Sequence, residues 1–190
     1  GQKLDVEISE PNVNPLAVQG PKSFELMRRI FGEEILNLKF FHFKRFLFQD
    51  HNFLIARSGW SKQGGFEIYV DNDEKGLELY DALYEKGKDL DVRPGCPNLI
   101  ERIEGGLLSY GNDMNMNDTP FECGLGAFVS FNDNINYLGK STLLEQKEKG
   151  ITRSLVGLKL QINQISLSKT LPVFHKEQLI GDLRSACFSP

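Results

Sequence analysis

Residues 65–70, GFEIYV, alternate strictly, and that alternation leaves few architectures open. Successive side chains of a strand point to opposite faces, so Phe66, Ile68 and Val70 fall on one face and Gly65, Glu67 and Tyr69 on the other. Residues 52–58 and 65–71 read as two strands, joined through a glycine-containing segment into a long-looped hairpin. The apolar set takes the core. The opposite face then carries a carboxylate and a phenol together, and Trp60, the chain's one tryptophan, can fold over them from the loop. A plainer reading accounts for the same residues: Gly64 and Gly65 serve the turn, Trp60 fills the core and Glu67 points to water.

The rest of the chain supplies helices for that sheet. Residues 15–19 predict a short strand, after which Gly20 and Pro21 start a helix whose Phe24, Met27, Ile30 and Phe31 recur at helical spacing until Gly32. Phenylalanines and basic residues interleave in LKFFHFKRFLFQD, residues 38–50. That segment reads as a strand buried on both sides, in preference to a stacking platform for single-stranded nucleic acid. Leu77, Leu79, Tyr80, Leu83 and Tyr84 predict an amphipathic helix over 74–86, ended by Gly87. Another is expected after Pro97, from about residue 98 to residue 108, and a short one over 139–148, with mostly loop across 111–136. Strands and helices alternating with local hairpins predict an α+β fold on an antiparallel sheet. After Gly150 the character changes to the strand-like SLVGLKLQI and LPVFHKEQLIGDLRSACF. Residues 1–150 are therefore expected as one α+β region and 151–190 as the start of an all-β domain.

Composition narrows the function classes. The chain has 190 residues, is 40% hydrophobic and carries a formal charge of −4, which supports a globular core and disfavours nucleic acid as a partner. No apolar run approaches the roughly 20 residues of a membrane span, so no membrane partner is expected. Cys96, Cys123 and Cys187 lie far apart with no C-x-x-C pair and no histidine at zinc-ligand spacing; reduced structural thiols, a cytoplasmic location and no metal are expected. YLGKSTLL ends like a phosphate-binding loop, but Asn134 stands where the first glycine belongs, and the segment reads as a conventionally capped helix start. His42, His51 and His175 lie in no nucleophile motif.

Six segments carry a resemblance. RSGWSKQGGFEI resembles the R-[TS]-G-Y-[TS]-G-E-D-G-F-E-I signature of the glycine-cleavage T-protein (aminomethyltransferase) superfamily. LAVQGPKS is similar to its L-x-x-Q-G-P-x-[AS], ERIEGGLLSYGND to its L-R-L-E-A-G-x-x-L-Y-G-x-D, and TPFECGLGAFVSF to its T-P-[VL]-E-A-G-L-G-W-x-V. NYLGKSTL and IGDLRSACFSP resemble two further segments in the same order. The departures are Trp60 for tyrosine, Lys62-Gln63-Gly64 for G-E-D, and Asn98 for the first arginine of A-R-D-S-L-R. They resemble the branch that demethylates dimethylsulfoniopropionate with tetrahydrofolate in marine bacteria. The K-G-C-Y-x-G-Q-E motif of the family's non-catalytic folate-binding relatives is not matched.

The resemblance implies a ferredoxin-like domain of the T-protein type, followed by the start of a barrel-like domain. It implies that Glu67 binds the pterin with Tyr110 as a second folate contact, and that Trp60 and Tyr69 receive the substrate. Family members are nearly twice this length, so their first third, with the catalytic aspartate region, and the end of their last domain are expected to lie outside this sequence. The catalytic residues are accordingly not assigned. The expected partners are a small sulfonium substrate and folate; a lipoyl carrier protein enters only if the chain is an aminomethyltransferase. A carboxylate suits the pterin because it accepts two neighbouring N–H bonds as a fork. A sulfonium cation donates no conventional hydrogen bond and is held best by aromatic faces.

Overall fold

The structure, a computed structural model, describes residues 5–95, 99–132, 134–165 and 167–189. Its contacts gather the chain into two compact units, residues 1–98 and 99–190. The first holds a four-stranded sheet of β1 (Asn14–Gln19), β2 (Phe43–Phe48), β3 (His51–Ala56) and β4 (Gly65–Val70), in the order β1-β4-β3-β2 with every neighbour antiparallel. Helices α1 (Ser23–Phe31) and α2 (Asp73–Lys86) pack on one face of it, an α+β fold as the alternation requires. Leu26 and Met27 of α1 and Leu79 and Leu83 of α2 meet Phe46, Phe53, Ile55, Phe66, Ile68 and Val70 in the core.

Local chemistry sets the ends of these helices. Gly32, at φ 81°, stops α1 and donates from its backbone N–H to Arg28. Asn72 caps α2 by accepting from the Lys75 backbone N–H at 3.0 Å, which satisfies one of the donors a helix start leaves open. Gly76 lets α2 approach the sheet: a Cβ there would stand 2.4 Å from Val70 Cγ1.

The phenylalanine-rich segment is corrected. Only residues 43–48 of it form a strand; that strand is one edge of the sheet, and Phe46 is its one buried residue. The helices cover a single face, so Phe43 and Leu47 project from the other and stay exposed. Burial on both sides needs two covering layers, and the first unit has one.

The second unit contains α3 (Leu99–Glu104), α4 (Lys140–Lys149) and a hairpin of β5 (Leu171–His175) and β6 (Gln178–Leu183). Helix α3 is shorter than the periodicity predicts because Gly105 and Gly106 follow it, Gly106 at φ 65°. The predicted start at Asn98 lies outside the described residues. Helix α4 begins after Gly139, at φ 86°, without the side-chain cap expected there. Residues 154–162 form no strand despite their alternating leucines; their one recorded backbone bond outside helices and strands is Leu155 N–H to Glu122 O, 2.7 Å. Strand pairing needs a partner, and β5 and β6 satisfy each other. Among the described residues of this unit only Arg102 and Asp113 are buried.

Candidate functional site

Strand β4 lies inside the sheet, between β1 and β3, and its register places a small side chain on either side of Glu67: Ala17 pairs with it from β1 and Ala56 from β3. Paired residues share a face, so the carboxylate rises between two methyl groups on the side the helices leave bare. Tyr69, two residues on, has Pro15 and Leu54 as its neighbours on that face. Glu67 and Tyr69 are both half-buried. The Ser58 hydroxyl donates to Glu67 Oε2 and anchors the carboxylate, while lone pairs remain on both oxygens for a ligand.

Beside Tyr69 a cavity of about 530 Å3 is lined by Arg45, Leu54, Tyr69, Asp71 and residues 11–13. His51 Nε2 lies 2.7 Å from Asp71 Oδ1. That hydrogen bond, helped by the charges of His51 and Arg45, holds the Asp71 carboxyl below its usual range. The cavity wall therefore carries charge of both signs next to a phenol.

The segment 57–64 between β3 and β4 carries Trp60, which is 38% exposed and takes no part in the core. Trp60 does not fill the core, contrary to the plainer reading of the sequence. Arg57 lies with its guanidinium carbon 4.9 Å from the Phe24 ring centroid and donates from Nη1 to Leu38 O at 3.1 Å, which ties the segment's start to the first unit's core. Gln19 ties its middle. Gln19 Nε2 donates to Ser58 O (3.0 Å) and Phe66 O (3.1 Å), and Oε1 accepts from the Ser61 hydroxyl (2.9 Å). Sequence reasoning overlooked Ser58 and Gln19; the signal available was that both fall inside matched segments, LAVQGPKS and RSGWSKQGGFEI.

The sequence matches the GCVT N-terminal domain family over residues 2–133, well over half of its length. The chain belongs to that family. It is 50% identical over 187 residues to dimethylsulfoniopropionate demethylase DmdA of Ruegeria pomeroyi, covering 98% of this chain and 51% of that protein. An aminomethyltransferase of Caldanaerobacter subterraneus subsp. tengcongensis is 37% identical over 192 residues, covering 99% of this chain and 50% of that protein. Another, of Bacillus mycoides, is 35% identical over 183 residues, with 94% and 49% covered. The chain spans about half the length of these curated relatives.

Placed against the GCVT signature, the loop explains one departure. Lys62 takes φ 64°, in the left-handed region, where the signature has glycine. Gly64 takes φ 78° where the signature has aspartate. Both positions thus lie in the left-handed region in this chain, one as lysine and one as glycine. A non-glycine residue at positive φ costs roughly 1–2 kcal/mol, and glycine loses about 0.5–1 kcal/mol more on folding, so Lys62→Gly should raise stability by about 0.5–1 kcal/mol. A higher urea midpoint, followed by Trp60 fluorescence at unchanged slope, is the expected result.

Tyr110 belongs to the second unit, on a turn where Gly111 N–H bonds Met114 O at 2.7 Å, and it is exposed. Lys140, in the segment that looked like a phosphate loop, donates its ammonium to Asn132 O (2.7 Å) and Ile135 O (2.8 Å) and so closes its own turn. Cys123 and Cys187 are free thiols, and burial raises the Cys123 pKa; Cys96 lies outside the described residues. No helix among the described residues is long and apolar enough to cross a membrane.

Proposed function

We propose that the protein to which these residues belong is a tetrahydrofolate-dependent methyltransferase that takes a methyl group from dimethylsulfoniopropionate, giving methylthiopropionate and 5-methyltetrahydrofolate. The observation that carries the reading is Glu67, a carboxylate anchored by Ser58 and flanked only by Ala17 and Ala56 on the bare face of the sheet. The neighbours leave both oxygens approachable, and the fork that a pterin's adjacent N–H groups need fits an ionised carboxylate. The 50% identity to a protein named for that demethylation supports the choice of donor.

In this reading Glu67 fixes the pterin's orientation, and Tyr110 is a second folate contact. Tetrahydrofolate, when bound, supplies N5 as the methyl acceptor: an N–C bond forms, the S–C bond breaks with its electron pair left on sulfur, and the N5 proton is released. A neutral thioether departs, so no residue has to protonate it. Trp60 and Tyr69 offer aromatic faces to the sulfonium, worth about 0.5–2 kcal/mol each depending on desolvation. The protein's contribution is alignment and exclusion of water. We also propose that residues 1–150 of this chain belong to one α+β region and residues 151–190 to the start of an all-β domain, and that the protein is cytoplasmic.

The aminomethyltransferases at 37% and 35% identity favour a second reading, transfer of an aminomethyl carbon from a lipoyl carrier protein to folate. Trp60 and Lys62, which replace tyrosine and glycine of the family signature, favour the first. Full-length protein incubated with dimethylsulfoniopropionate and tetrahydrofolate should release methylthiopropionate, read by mass spectrometry. Consumption of an aminomethyl-lipoyl carrier in its place would establish the second reading.

A further inference from the structure

Glu67 and the tryptophan loop are held by one side chain from another strand. Gln19 is the last residue of edge strand β1 and pairs with Gly65. Its carboxamide donates to Ser58 O and Phe66 O and accepts from Ser61 Oγ, so its amide nitrogen and its carbonyl oxygen are both engaged. Ser58 and Ser61 bracket Trp60 in the chain. Ser58 is also the residue whose hydroxyl holds Glu67, and Phe66 is the residue from which the backbone passes to Glu67.

The glycines of the segment make room for this clasp. A Cβ on Gly59 would stand 2.1 Å from Gln19 Oε1, and one on Gly65 would stand 2.9 Å from Gln19 Nε2 and 2.2 Å from Val18 O. Gly59 and Gly65 therefore answer to Gln19 as well as to the turn. Backbone bonding reinforces the contact, with Gly20 N–H donating to Gly64 O at 3.0 Å.

We propose that Gln19 is a positioning residue, setting the Glu67 carboxylate through Ser58 and Phe66, and Trp60 through Ser58 and Ser61. The inference rests on the reading of Glu67 and Trp60 as ligand contacts. The amide acts through its shape and its two donors. Glutamate has the same shape, but in its ionised form it faces the carbonyls of Ser58 and Phe66 without a proton to donate.

The test compares Gln19→Glu with the unaltered chain and with Glu67→Gln. Trp60 is the only tryptophan, so its emission maximum and acrylamide quenching report the loop in the native state. A residue that merely added stability would move the urea midpoint and leave the native emission alone. Gln19→Glu is expected to red-shift Trp60, increase its quenching and raise the tetrahydrofolate Kd about tenfold, the effect of losing roughly one well-made hydrogen bond's worth of ordering. Unchanged emission, quenching and affinity, with Glu67→Gln still weakening folate, would overturn the role of Gln19. If the unaltered chain and Glu67→Gln bind folate equally, the reading of the site fails, and the Trp60 spectra alone decide on the clasp: a shift supports it, and no shift overturns it. Should Gln19→Glu lose the sheet's circular dichroism, Ser61→Ala, which removes the bond to Oε1 together with the one Ser61 Oγ accepts from the Gln63 backbone N–H and leaves both donor bonds of Gln19 in place, decides by the same spectra.

Discussion

Glu67→Gln should weaken tetrahydrofolate binding by about a hundredfold, because one charge-assisted bond worth roughly 1.5–3 kcal/mol is lost and an amide NH2 is turned against a ligand donor. Ser58 can still donate to the remaining carbonyl oxygen, so the side chain keeps its anchor. Glu67 lies outside the core, and its flanking residues are alanines, so the substitution leaves packing untouched. The urea midpoint should therefore stay within the range of ordinary surface substitutions, about 0.5 kcal/mol. Calorimetry on the full-length protein separates the two effects, since a loss of affinity at constant stability assigns the carboxylate to the ligand. An affinity within twofold of the unaltered protein would remove Glu67 from the site.

The alternation of residues 65–70 made that face legible before any coordinates, because period two is a property of the strand backbone and needs no partner. Phe66, Ile68 and Val70 are buried while Glu67 and Tyr69 are half-buried on the opposite side. The helices were legible for a similar reason: Phe24, Met27, Ile30 and Phe31 recur at helical spacing ahead of Gly32, as Leu79 and Leu83 do ahead of Gly87. Features that depend on what lies opposite were not. The segment 38–50 and residues 154–162 both alternate or run apolar, yet one holds an edge strand and the other no strand, because the covering layer or the pairing partner is a tertiary matter. The clasp of Gln19 on Ser58 and Ser61 links residues about 40 positions apart, which no local pattern encodes. Lys62 shows the same limit in the backbone, since a lysine at positive φ gives no warning in its own identity.

The second unit puts an ion pair where the first has an apolar core, and Arg102→Ala should therefore unravel it locally. Arg102 and Asp113 are its only buried residues among those described, with side chains 3% and 9% exposed and Nη1 to Oδ2 at 2.8 Å. The guanidinium also reaches the Ser185 hydroxyl at 3.0 Å, and Asp113 Oδ2 accepts the Ser109 backbone N–H at 2.7 Å, so the pair joins α3, the turn after it and the chain beyond β6. Elsewhere in the unit Arg184 reaches Asp118, and Arg153 reaches Asp118 and Glu122; these bonds hold both carboxyls below their usual range. Asp118 is as buried as Asp113, its side chain 5% exposed, but it is shared by two arginines and keeps one when the other is lost, whereas the ion pair of Asp113 is to Arg102. Removing one member of a buried pair costs about 3–5 kcal/mol, so amide exchange at Ser109 and Leu107 should accelerate by two to three orders of magnitude. Hydrogen exchange read by mass spectrometry localises the effect, and the first unit should keep its protection, because its core contains none of these residues. Arg102→Met combined with Asp113→Leu should exchange more slowly than Arg102→Met alone, since replacing both partners by apolar groups leaves no buried charge unpaired. Equal exchange in Arg102→Met and the double variant would place the cost in the lost contacts of the guanidinium and not in the stranded carboxylate.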